Sequence, residues 1–187
     1  MKNRIIKDGK VGSNKVLLVD TFLNHMVDTK FVYEIGAEFA RIFAETRPSK
    51  IVTVESSGIA IAAYCALHLQ IPFVIAKKYY SSNLPKDVYS AEIYSYTKNT
   101  PANIYISKDA VSSSDSILII DDFLAYGSAV LGLTRIITDA RAGLAGVGIC
   151  IEKSFQPGAN ELISKGINLH SLVRIKSLEG GNITFMP

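Results

Sequence analysis

This chain of 187 residues has no tryptophan, only two cysteines and only three histidines. Cys65 and Cys150 do not form a disulfide framework or a CxxC pair. Each falls inside an apolar pattern, Cys65 on a helical stretch and Cys150 on a strand, as buried thiols do. His25, His68 and His170 are scattered, so no metal-ligand spacing exists and no protein zinc site is expected. Long apolar runs are missing too. No segment approaches the ~20 residues of a membrane span, and residues 1–10 are charged rather than apolar, unlike a secretory signal. The expected address is cytoplasmic, with no membrane partner. Charge of one sign is equally scarce, since 20 Lys and Arg against 17 Asp and Glu leave a net +3. The basic residues are spread rather than striped, so no nucleic-acid footprint is indicated, although an anionic substrate would find local lysines.

What is present is an alternation of strand and helix patterns, with no long linker or repeat. The 48% hydrophobic content supplies core enough for one α/β domain spanning residues 1–187. Asp28 is placed to cap a helix whose Phe31, Val32, Ile35, Phe39, Ile42 and Phe43 share a face, and Pro48 lies beyond its end. Lys50 to Val54 reads as a strand. Glu55-Ser-Ser-Gly58 then turns into an Ala-rich helix running to about Leu69, followed by a strand from Pro72 to Ala76. Further strands are expected around Ile104 to Ile106, Leu144 to Ile151 and Leu172 to Ile175. This order predicts a mainly parallel sheet flanked by helices, with right-handed crossovers.

The most informative stretch runs from Ile117 to Ala129. Ile117 to Ile120 are unbroken aliphatics, as in a parallel strand covered on both faces. Asp121 and Asp122 follow at the carboxyl end, where open α/β sheets bind ligands. From Gly127 the spacing becomes helical, with Val130, Leu131, Leu133, Thr134, Ile137 and Ala140 on one face. Acids in this position serve ordinarily as helix caps. Two side by side repel unless cations or hydroxyls compensate, which favours a polyol ligand with its anion at the helix start.

Four hydrophobics, two acids and a phosphate loop resemble the phosphoribosyl pyrophosphate (PRPP) motif of type I phosphoribosyltransferases. The resemblance implies that Asp121 and Asp122 hold the ribose hydroxyls, and that Ala125, Tyr126, Gly127, Ser128 and Ala129 hold the 5-phosphate. The common loop is rich in threonine, whereas Ala125, Tyr126 and Ala129 stand here. Phosphate binding would then rest on backbone N–H groups, Ser128 and the helix end.

Three further segments agree. By itself, the turn after the first long strand is an ordinary strand-to-helix turn; the resemblance gives Ser56, Ser57 and Gly58 the diphosphate. Lys77 and Lys78 follow the next strand, and beyond them the polar stretch of about 79–100 reads as a mobile active-site loop. Its alternating Tyr94 and Tyr96 also suit an exposed two-stranded ribbon. The resemblance implies that the two lysines meet diphosphate across a homodimer interface, with magnesium carried by PRPP. In Glu152-Lys-Ser-Phe-Gln-Pro-Gly158, Lys153 and Phe155 supply a cation for a ring carbonyl and a plane for stacking. A lysine donor there would repel adenine's amino group.

Across nearly the whole chain, VDTFLNH, VESSGIA, YSYTK, IDDFLA and EKSFQPG resemble the purine members of this family, those using xanthine above all. That implies an amino-terminal hood, about residues 1–30, over the base, with Leu17, Asn24 and Lys153 on the base-contacting positions. The implied reaction joins xanthine to PRPP, giving xanthosine 5'-monophosphate and diphosphate. Guanine or hypoxanthine remains an alternative, because Asn24 can present either end of its amide. A non-catalytic PRPP-sensing regulator is the other, although regulators of this kind carry an added DNA-binding domain for which the chain leaves no room.

Overall fold

A computed structural model describes residues 1–12, 16–80, 85–95 and 100–187. The carboxylate of Asp28 accepts the Phe31 N–H at 3.1 Å and so opens the long helix Thr29–Phe43. In chain order the elements are α1 (Lys2–Asp8), β1 (Lys10–Val11), β2 (Leu17–Leu18), α2 (Thr29–Phe43), β3 (Lys50–Val54), α3 (Gly58–Leu69), β4 (Phe73–Ala76), β5 (Val88–Ser95) and β6 (Thr100–Ser107). They continue with β7 (Ser116–Leu124), α4 (Ser128–Asp139), β8 (Gly143–Lys153), α5 (Gly158–Ser164), β9 (Leu169–Ser177) and β10 (Thr184–Phe185).

The central sheet has six strands in the order β10-β9-β8-β7-β3-β4. All neighbours are parallel except the edge pair β10–β9. Successive side chains of a strand point to opposite faces, and β7 divides accordingly. Leu118 and Ile120 join Phe39, Phe43, Ile61 and Cys65 on the side of α2 and α3. Ile117 and Ile119 join Val130, Leu133 and Ile136 of α4 on the other. Both faces being covered, the strand core is almost wholly aliphatic, and both cysteines are buried. Burial pushes the Cys65 thiol up to about 12. No helix among the described residues is long and apolar enough to cross a membrane.

Two expectations need correction. The strand containing Ile104 and Ile106 does not join the main sheet; it pairs antiparallel with β5 as a separate two-stranded ribbon. Within the stretch expected as a loop, 88–95 is therefore a strand, while Tyr96 lies outside the described residues. The ribbon is not merely solvated. Ala91, Ile93, Ile104 and Ile106 are buried against α4, and a Cβ on Gly132 would come within 2.5 Å of Ile93 Cγ2. Burial on α4 likewise differs in detail from the expected face, because Gly132 and Ile136 are buried and Thr134 is half-buried.

The amino-terminal elements are fastened from both ends. Arg4 donates to Asp28 at 2.7 Å and lies 5.0 and 5.3 Å from the ring centroids of Phe22 and Phe31. Ile5, Leu17, Val19, Phe22 and Leu23 enter the same core as Val173 and Ile175 of β9.

Candidate active site

β3 lies between β4 and β7, so the chain leaves β3 towards one side of the sheet and later returns on its other side. Such a reversal opens a crevice outside the carboxyl ends of the two strands. The β3–β7 pairing runs to Val52 opposite Ile119, and just beyond it stand Asp121, Asp122 and the turn after β3. β7 itself continues to Leu124 beside β8, so the acids are held in a strand rather than in a loop.

Asp121 and Asp122 are 9% and 8% exposed. The Asp122 N–H donates to Asp121 Oδ1 at 3.0 Å. Burial, and then the charge of Asp122, pushes the Asp121 carboxyl well above the ordinary carboxylate range, with Lys78 acting in the opposite sense. Gly58 makes room for this carboxyl. A Cβ there would lie 2.8 Å from Asp121 Oδ1 and would collide with Thr53 Oγ1.

The loop 125–129 turns at Gly127, whose φ of 81° is a left-handed conformation that favours glycine. α4 begins at once, so its first N–H groups face the same edge as the acids. Ser128 Oγ accepts the Tyr94 N–H of the ribbon at 2.7 Å, which leaves the hydroxyl hydrogen for another acceptor. The loop is braced by the start of α5: Gly158 N–H donates to the Ala125 carbonyl at 3.0 Å.

After β3, Ser56 is exposed, Ser57 half-buried and Gly58 buried. Glu55 reaches from this turn to the end of β4. Its carboxylate accepts the Lys78 N–H at 2.6 Å and the Lys77 ammonium at 3.3 Å. Lys78 itself is exposed.

At the end of β8, Lys153 is half-buried and forms no ion pair among the described residues; its Nζ lies 5.6 Å from the Phe123 ring centroid. Burial pulls its ammonium below the usual lysine range. Phe155 is 41% exposed beside it in the chain. The preceding Glu152 is buried and accepts the hydroxyls of Ser154 at 2.6 Å and Ser171 at 2.7 Å.

No family model matches the chain. It is 50% identical over 187 residues to a xanthine phosphoribosyltransferase of Shouchella clausii, covering 100% of this chain and 93% of that protein. It is 48% identical over 185 residues to one of Oceanobacillus iheyensis, covering 99% and 95%. The chain belongs to the xanthine phosphoribosyltransferase family. Solved structures agree on the fold. Adenine phosphoribosyltransferase of Trypanosoma brucei superposes with a TM-score of 0.77 at 16% identity, covering 92% of this chain and 78% of that one. The Thermoanaerobacter pseudethanolicus enzyme gives 0.70 at 23%, covering 79% and 82%. The type I phosphoribosyltransferase fold expected from the sequence is therefore the fold of the chain.

Against the family resemblance, the structure gathers Asp121, Asp122, Gly58, Lys77, Lys78, the 125–129 loop and Lys153 along one edge of the sheet. Two positions read from the hood are placed differently from each other. Leu17 is 4% exposed with its side chain in the core, whereas Asn24 is exposed at the end of the π-helical turn Asp20–Asn24. Glu55 and Gly158 escaped the sequence reading as site residues. An acid before the Ser-Ser-Gly turn and two lysines after the next strand were a usable signal for a Glu55 pair. Gly158 gave none, because its contact with the 125–129 loop spans some thirty residues of chain.

Proposed function

We propose that this protein works in purine salvage, transferring the 5-phosphoribosyl group of PRPP to xanthine and releasing xanthosine 5'-monophosphate and diphosphate. The observation that carries the reading is the buried acidic pair at the strand-order reversal, standing beside a left-handed glycine turn at the start of a helix. One end suits vicinal hydroxyls and the other a phosphate.

Asp121 and Asp122 accept the ribose hydroxyls. The main-chain N–H groups of Ala125, Tyr126, Gly127, Ser128 and Ala129 hold the 5-phosphate, with the free hydrogen of Ser128 as an added donor. Ser56, Ser57 and Gly58 receive the diphosphate, and Lys77 and Lys78 neutralise it. Glu55 holds the Lys77 ammonium and the main-chain N–H of Lys78 beside that turn. Lys153 donates to the 6-oxo group of the purine, Phe155 stacks on the ring, and Asn24 contributes from the hood, which the buried Leu17 anchors in the core.

The purine ring nitrogen attacks the anomeric carbon as the bond to diphosphate breaks, and the nitrogen then loses its proton. No side-chain nucleophile is needed, so rate comes from positioning and from cations placed where charge develops. Magnesium carried by PRPP would supply positive charge to the leaving group. Within 79–100, Val88–Ser95 forms one strand of the ribbon that flanks this site. Residues 1–187 are read as one catalytic domain, cytoplasmic and active as a homodimer.

The test is diphosphate release from PRPP with xanthine, guanine, hypoxanthine and adenine offered in turn. Xanthine should give the highest kcat/KM and adenine no turnover. Equal or better use of guanine or hypoxanthine would move the assignment to another 6-oxopurine. Tight PRPP binding with no turnover on any base would make the chain a sensor.

A further inference from the structure

Thr53 is completely buried in β3, between Val52 and Val54, and its Oγ1 has no hydrogen-bond partner among the described residues. Valine would fill nearly the same volume without burying a hydroxyl. Buried polar groups without partners are rare because desolvation is uncompensated, so an orphan in the middle of an aliphatic strand calls for a ligand-bound state in which it is satisfied. The neighbour that could satisfy it is close. A Cβ added to Gly58 would strike Thr53 Oγ1 on one side and lie 2.8 Å from Asp121 Oδ1 on the other. The two oxygens thus border the same space beside Gly58, a space too small for a Cβ.

We propose that Thr53 is a positioning residue for Asp121: when PRPP binds, the Thr53 hydroxyl donates to the Asp121 carboxylate and aims it at the ribose. This rests on the assignment of Asp121 to the ribose hydroxyls. A carboxylate has about four acceptor directions, and Asp121 Oδ1 already receives the Asp122 N–H. A second donor from below fixes the plane of the group and leaves the outward oxygen for ribose. The same bond offsets the burial that resists ionisation of Asp121. The other groups facing that carboxyl are Asp122 on its own strand, Lys78 beyond β4 and the buried Cys150 thiol of β8.

The decisive variants are Thr53→Val, which keeps the shape and removes the hydroxyl, and Thr53→Ser, which restores it. PRPP dissociation constants, xanthine KM and the pH dependence of PRPP binding are measured on each. Thr53→Val should weaken PRPP about tenfold, the loss of one hydrogen bond to a charged group, with xanthine KM within about twofold. Its acid limb for PRPP binding should move to higher pH, because the Asp121 carboxylate has lost a donor. Thr53→Ser should restore both. Thr53→Ala repeats the comparison without any chance of overfilling the strand. Wild-type PRPP affinity in Thr53→Val, or a loss of affinity without movement of the acid limb, would overturn the proposal. Asp121→Asn separates the two levels: if it leaves PRPP binding intact, the ribose assignment falls and this inference with it. If it weakens PRPP while Thr53→Val does not, only the inference falls.

Discussion

Gly127 and Gly158 meet face to face: a Cβ on Gly127 would lie 3.3 Å from the Gly158 Cα, and a Cβ on Gly158 would lie 2.6 Å from the Gly127 nitrogen. With the Gly158 N–H on the Ala125 carbonyl, the 125–129 loop and the segment carrying Lys153 and Phe155 are held together. Under the proposed roles, phosphate and base recognition would share a support that neither loop provides alone.

Adding a methyl group at Gly158 should damage PRPP binding from outside the phosphate loop. The new Cβ would press on backbone at Ala125 and Gly127 within 2.5 to 2.6 Å, and backbone there cannot swing aside as a side-chain tip would. Gly158→Ala and Gly127→Val should each weaken PRPP at least tenfold, the glycine at 127 through its left-handed φ as well. Tyr126→Phe should leave the dissociation constant within about threefold, since it keeps the ring and the main-chain N–H. Titration at equal folded fraction makes the comparison. A large loss for Tyr126→Phe with little for either glycine variant would mean that a hydroxyl, not the amide nest, reads the phosphate.

Asp121→Asn should weaken PRPP binding yet raise the melting temperature near neutral pH. The sign follows from the raised carboxyl: its favourable contribution to folding is complete below the unfolded carboxyl value of ~3.9 and is lost as pH rises through the higher folded value. Asparagine cannot ionise and escapes that loss. The difference in melting temperature between variant and wild type should grow from pH 4 upward, by a few degrees at most, and thermal scans across pH record it. A variant less stable than wild type at every pH would point to a structural role for this carboxylate.

Lys153→Ala should raise the xanthine KM and lower turnover by an amount equivalent to ~1.5 to 3 kcal/mol, the worth of a hydrogen bond from a charged group, while PRPP affinity changes little. Burial places the lysine below its usual range, so wild-type base affinity should decline at alkaline pH before an ordinary lysine would titrate. That part of the profile should be missing from the alanine variant. Collapse of PRPP affinity with base affinity intact would remove Lys153 from the base pocket.

Much of this protein is legible one segment at a time. The aliphatic run 117–120 before two acids, the strand Lys50–Val54, the Asp28 cap and the helix starting at Gly127 all express local rules: side-chain period, capping geometry, and the freedom of glycine at positive φ. The family resemblance extended this to residue roles because its motifs are also contiguous. Tertiary structure alone decided that β3 lies next to β7, which brings Thr53, Gly58 and Asp121 together across more than sixty residues of sequence. It also decided that Val88–Ser95 is a strand seated on α4, although its serines, tyrosines and glutamate look like those of a solvated loop. The same holds for Glu55 between two lysines and for Gly158 beneath Gly127. Strand order and close backbone approach depend on which distant apolar faces can be buried together, and no window of neighbouring residues encodes that choice.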